Sequence, residues 1–163
     1  MGTQVKCPVQ LVVGTLRTLG VNRISDATTL HTATSAMGQQ LLEPPDVKGW
    51  RYGQPWINSA RIFVRYNSTA DLVRTVPQPD GRRGIDLVAF LQNCGCQNST
   101  DVVDYLIKTC FLTPLSMESR AKLLDVAKDL PPVPAWAQQR DAVNAKLQNL
   151  VVLMVSTPDY QVN

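Results

Sequence analysis

The chain has 163 residues and a mass of 18.0 kDa, enough for one domain with a substantial buried core. Hydrophobic residues at 44% and charged residues at 18% make it charge-poor, which leaves part of its surface to be covered by something else. The net charge of +3 is mild, and the only close basic pair, Arg82-Arg83, falls in a turn, which argues against a nucleic-acid face; the longest wholly apolar run, Leu150 to Val155, is far below the roughly 20 residues a membrane-spanning helix needs.

Met1 to Lys6 leads straight into a helical pattern, without the charged, apolar and cleavage regions of a signal peptide. Taken literally this predicts a soluble intracellular chain; it fits equally a piece of a longer exported protein. Pro8 suits a first helical turn and Gly20 a stop, and Val9, Val12, Val13, Leu16 and Leu19 between them predict a helix over 8–19. Asp26 or Thr28 caps a second helix through Leu41, with Leu30, Ala33 or Thr34, Met37 and Leu41 inward. A Pro/Gly/Trp-rich stretch from Glu43 to Ile57 follows. Asn58 or Ser59 then caps a third helix, whose buried side is expected to be Ile62, Phe63, Tyr66, Ala70 and Val73.

Pro77 to Gly84 is a loop with Pro-Asp-Gly turn chemistry, and a subdomain boundary, if there is one, falls near 76–84. A short helix over 85–92 carries Ile85, Val88, Ala89 and Leu91. Ser99 or Thr100 caps a helix to Phe111, and Ser116 one to Asp129. Pro131-Pro132-Val133-Pro134 is expected to be extended, since prolines remove donors and restrict their neighbours. The last helix, 136–156, has Val143, Leu147, Leu150, Val151 and Met154 on one stripe; Val152, Leu153 and Val155 widen it, which predicts a central helix. No segment alternates with period two. The fold class is therefore all-α: an irregular bundle of six to seven helices with a long Pro/Gly/Trp-rich crossover loop over 43–57.

That loop is the one candidate surface. Trp50, Tyr52 and Trp56 present ring faces with polar handles, able to stack on sugar rings or a partner's apolar groups, and Asp46, Lys48 and Arg51 supply directed polar contacts. The competing expectation is that the tryptophans peg a long loop onto the helices while the glycines serve tight turns. Other residues carry less. His31 is the only histidine and has no evident partner; Cys94-x-Cys96 has the wrong spacing for structural zinc. Either of these cysteines would pair with Cys7 or Cys110 only in an oxidising compartment. Glu43 and Asp46 could form an acid–base pair, but ordinary solvated charges explain them as well. Arg61 and Arg65, one helical turn apart, could hold an anion; solvation, or a bridge to Asp71, is the plainer expectation. No catalytic residue, metal ligand or cofactor is assigned.

Gly38-Gln39, Pro44-Pro45-Asp46-Val47-Lys48-Gly49-Trp50, Gly53 and Trp56-Ile57-Asn58 resemble the signature of a large bacterial family catalogued as domain of unknown function 1800, whose usual form is GQ-x-LF-x-PPNVKGW-x-GG-x-x-W-IN. Lys6-Cys7-Pro8-Val9, Leu16-Arg17 and the end piece Leu153 to Gln161 fit as well. The resemblance implies a mostly helical protein, here a C-terminal segment of a longer, exported one. It implies as partners the remainder of that parent chain or a co-encoded exported sulfatase-like protein, with carbohydrate a further candidate. The expected function is a non-catalytic interaction or scaffold module; the alternative is a hydrolase-like or carbohydrate-binding module with the 43–57 loop lining its site. Asp46 stands where the family has asparagine and Tyr52 replaces one glycine of its pair, so hydrogen-bond donation from position 46 is in doubt.

Overall fold

A computed structural model describes residues 4–50, 53–92 and 94–162. Among them are seven α-helices and no strand. Helix α1 (Pro8–Thr18) starts on its proline, and the Gln10 side chain accepts from the Cys7 amide at 2.9 Å. Val12, Leu16 and Leu19 are buried as the spacing predicts. Leu11 and Thr15 are buried too, while Val9 and Val13 are only partly so, which turns the face from the expected one. Helix α2 (Thr28–Ala36) is shorter than expected. The Gly38 amide turns back to the Ser35 carbonyl and the Gln39 amide to that of Thr34, which closes the helix early. Leu41 is left exposed rather than inward, whereas Thr34 and Met37 of the expected stripe are buried.

Helix α3 (Ser59–Thr75) is capped by Asn58, which accepts from the Arg61 amide at 2.8 Å. Its buried face is rotated from the expected one. Arg65, Thr69, Leu72 and Val73 are buried, whereas Phe63 is 67% exposed. Both α2 and α3 pack on α1.

A turn closed by the Gln78 amide on the Arg82 carbonyl (2.9 Å) leads to α4 (Leu87–Leu91), capped by Asp86. Helix α5 (Ser99–Cys110) takes its cap from Asn98, one residue earlier than expected, and buries Val102, Val103, Leu106 and Cys110. Helix α6 (Met117–Ala127) is capped by Ser116. Residues Val133–Gln139 form a 3-10 segment instead of continuing extended. The prolines suit its start, and Trp136, buried, donates from Nε1 to the Pro131 carbonyl at 2.9 Å. This segment delays the last helix, α7 (Arg140–Val155).

Helix α7 packs against α3, α4, α5 and α6 and is central, as its wide apolar stripe predicts. Only Leu153 of that stripe reaches the surface. The core cluster draws residues from both sides of the 76–84 turn: Val73 and Val76 before it, Ile85 and Leu87 after it. A closing 3-10 turn, Pro158–Gln161, buries Tyr160, whose hydroxyl donates to Thr15 Oγ1 at 3.0 Å. Val5 and Val162 form an antiparallel bridge, and the Lys6 amide donates to the Gln161 carbonyl at 2.9 Å. The two ends of the described chain are thus joined.

Candidate functional site

The Pro/Trp stretch divides into an exposed tip and a pinned base. From Leu41 to Lys48 every residue is exposed. Leu42, 95% exposed, has φ +69 and is the one non-glycine in the left-handed region among the described residues. A γ-branched side chain in that region is strained, so the chain direction here is imposed by its surroundings. Val47 is fully exposed. Between these two apolar side chains, Asp46 Oδ1 accepts from the Lys48 amide at 2.8 Å and the Gly49 amide returns to the Asp46 carbonyl at 3.0 Å. Position 46 therefore acts as a hydrogen-bond acceptor that shapes a turn. A carboxylate does this as well as an amide.

The base is built by α3 and the end of α2. Trp56 lies in a 3-10 turn, Gln54–Trp56, and is buried, while Trp50 is half-buried. Arg61, on the first turn of α3, donates from Nη1 to the Pro55 carbonyl at 2.9 Å. Its guanidinium lies against Gly38, where a Cβ would stand 3.1 Å from Arg61 Cζ. Gly38, at φ +91, thus both ends α2 and lets the arginine close over it. Among the described residues the buried Trp56 Nε1 has no hydrogen-bond partner.

These groups surround a cleft of about 300 Å³, lined by Trp50, Trp56, Gly38, Arg61, Pro45 and Asp46. One carboxylate and one guanidinium face it beside two indoles. Glu43 does not line it, so the acid–base pair weighed from the sequence is not assembled there. Lys48 is exposed on the tip; Arg51 and Tyr52 lie outside the described residues.

Arg65 is the residue that sequence reasoning misplaced. It is fully buried rather than solvated or bridged to Asp71. Its Nε donates to Gln161 Oε1 at 2.9 Å and its Nη2 to the Lys6 carbonyl at 2.8 Å, while Nη1 has no partner among the described residues. Burial pushes its pKa down to about 10. Lys6 sits 4.0 Å above the Tyr160 ring and donates to the Tyr160 carbonyl at 2.7 Å, its pKa also lowered by burial. No signal in α3 separates Arg65 from Arg61, because the partner of Arg65 lies 96 positions away.

Cys94 is bonded to Cys96, not to Cys7 or Cys110, which are free. Gly95 between them adopts φ +76, which lets the two sulfurs meet across a single residue. Burial pushes the Cys110 thiol up to about 12. His31 is exposed on α2, and among the described residues no three histidine, cysteine or carboxylate side chains gather into a metal site. No described helix is long and apolar enough to cross a membrane.

A family model described as protein of unknown function (DUF1800) matches residues 1–162. No curated protein and no solved structure matches the chain.

Proposed function

The chain belongs to the DUF1800 family, and from that premise we propose that it is a non-catalytic interaction module whose contact surface is the 41–50 loop. The observation that carries this is the exposure of Leu42 and Val47 at the tip of a loop whose base is held by Trp56 and Arg61. Apolar side chains held out on ordered backbone lose little entropy on docking, and they gain burial only when a partner supplies a recess. The partner is a protein with such a recess, either further chain of the same polypeptide or a protein exported with it. Lys48 on the tip, with Arg51 and Tyr52 following it, would supply polar contacts at the rim. A photo-crosslinking side chain at position 47, tested in cells expressing the full-length protein, should give one discrete adduct. Failure to crosslink there, with efficient crosslinking from position 117 on α6, would move the contact surface elsewhere.

A second reading has its own support in the cleft. Trp50 is half-exposed and lines it together with Asp46 and Arg61, a combination suited to stacking on a sugar ring while hydrogen-bonding its hydroxyls. With a single carboxylate among the lining residues, binding is favoured over hydrolysis. Glycan-array binding of wild type against Trp50→Ala separates this reading from the first. Lost binding with unchanged helical signal would support a sugar site, and no binding by either chain would remove it.

A further inference from the structure

We propose that Cys94 and Cys96 form a reversible redox pair that exchanges disulfides with a dithiol substrate, an activity independent of the loop. Four observations carry this.

The first is the position of the bond. It closes a loop of two positions, Cys94 to Cys96. Stabilisation by a disulfide grows with the length of chain it closes, so this bond restrains the unfolded chain very little. Its structural value is therefore small, and the loop it sits in is held in other ways: the Val133 amide donates to the Gln97 carbonyl, and Asn98 caps α5 through the Asp101 amide.

The second is asymmetry. Cys96 is buried, whereas Cys94 is only partly so. The more exposed Cys94 is the favoured point of attack, which makes Cys96 the leaving group.

The third is a donor placed on the attackable sulfur. The Cys96 amide donates to Cys94 Sγ at 3.2 Å. That contact favours a thiolate at Cys94 once the bond opens.

The fourth is access. Gly95 is exposed and a Cβ built on it would meet nothing within 4 Å, so the residue that joins the two cysteines stands at the surface.

The exchange balances without any further co-reactant. A thiolate of the substrate dithiol attacks Cys94 Sγ, the Cys94–Cys96 bond breaks, and the Cys96 thiolate leaves and takes up a proton. The second substrate thiol, deprotonated, attacks its own sulfur in the mixed disulfide and releases Cys94 as a thiolate. The substrate is oxidised by two electrons to a disulfide, and the cysteine pair is reduced to two thiols. Each chain oxidises one dithiol, and glutathione disulfide restores the pair.

The test uses glutathione as probe, with thiols trapped by acid quench and alkylation and mapped on the peptide holding residues 94–96. In the wild-type chain under native conditions, millimolar reduced glutathione should open the pair and excess glutathione disulfide should close it, with the helical signal unchanged throughout. Cys96→Ser should form a glutathione mixed disulfide at Cys94 at least about tenfold faster than Cys94→Ser forms one at Cys96. A pair that stays oxidised in reduced glutathione, that melts the fold on opening, or whose two sulfurs react at equal rates would overturn the proposal. The wild-type titration decides even where a single-cysteine variant fails to fold.

Discussion

Arg65 and Gln161, 96 positions apart, meet inside the protein through a hydrogen bond of 2.9 Å from Nε to Oε1. Gln161 in turn donates from Nε2 to the Val155 carbonyl at 3.0 Å, so the amide is used at both ends and ties α3 to the exit of α7. Lys6 completes the set by giving its carbonyl to Arg65 Nη2. A buried guanidinium here does for the chain ends what a sheet or a long-loop disulfide does in other folds.

Arg65→Ala should be among the most destabilising substitutions in the protein. It leaves the Gln161 Oε1 and the Lys6 carbonyl without their donor and opens a cavity, at a cost of about 3 kcal/mol or more. Arg65→Met, which fills the space with apolar atoms, should cost measurably less. Urea unfolding of the two variants checks this; equal losses would mean that the lost hydrogen bonds and charge, not the volume, set the stability.

Stability should fall as the solution becomes alkaline. The Cys110 thiol has its pKa raised from 9.0 to about 12 by burial. Between those values the folded state keeps a proton that the unfolded state has lost, so its contribution is whole below pH 9 and disappears as the pH climbs towards 12. The loss at pH 10 is on the order of 1 kcal/mol from this group. Tyr160, also raised by burial, adds to the same trend higher up. Cys110→Ala should flatten the part that begins near pH 9, read by urea midpoints across the pH range.

Gly84 and Gly81 should respond differently to alanine although both have positive φ, +80 and +84. A Cβ at Gly84 would stand 2.6 Å from the Arg74 carbonyl oxygen, whereas at Gly81 it meets nothing within 4 Å. Gly81→Ala should cost about 1 kcal/mol for the backbone conformation alone. Gly84→Ala should cost at least about twice that, because a backbone atom must shift. Thermal denaturation ranks them.

Asp46→Ala should loosen the loop tip without unfolding the helices. Removing the acceptor of the Lys48 amide frees the Asp46–Gly49 turn, and hydrogen exchange at Lys48 and Gly49 should quicken several-fold. Asp46→Asn should leave the exchange close to wild type, because the amide oxygen can accept the same bond.

Association of the isolated chain should depend on the tip and not on the last helix. The apolar stripe of α7 is consumed by packing, whereas Leu42 and Val47 stand in solvent. Light scattering should show self-association in the wild type and a shift towards monomer in the Leu42→Ser, Val47→Ser double variant. An unchanged mass would point to other exposed apolar side chains, Met117, Leu112 and Phe63 foremost.

The helices were largely legible because caps and spacing act locally. Asn58 and Ser116 start α3 and α6 where the pattern places them, and the α7 stripe of Val143, Leu147, Leu150, Val151 and Met154 is buried throughout. The face of α3 was not. Periodicity puts apolar residues inward, which favours Ile62, Phe63 and Tyr66, and nothing local says that a guanidinium will find acceptors on Lys6 and Gln161. At the loop, composition marked a stretch whose described residues hold no helix but the 3-10 turn Gln54–Trp56. The division of labour between a buried Trp56 and a half-buried Trp50 depends on Arg61 closing over Gly38, a contact between separate elements that spacing alone does not encode.

The meeting of Val5 with Val162 has a further consequence for how the unit can be built into larger molecules. With both ends side by side, polypeptide attached at either would leave from one spot, so the whole bundle can ride on a host as a cassette on a single stalk. A circular permutant that joins these ends through a short flexible linker and opens at the exposed Asp80-Gly81 turn should keep every helix, whereas one opened inside α7 should keep none.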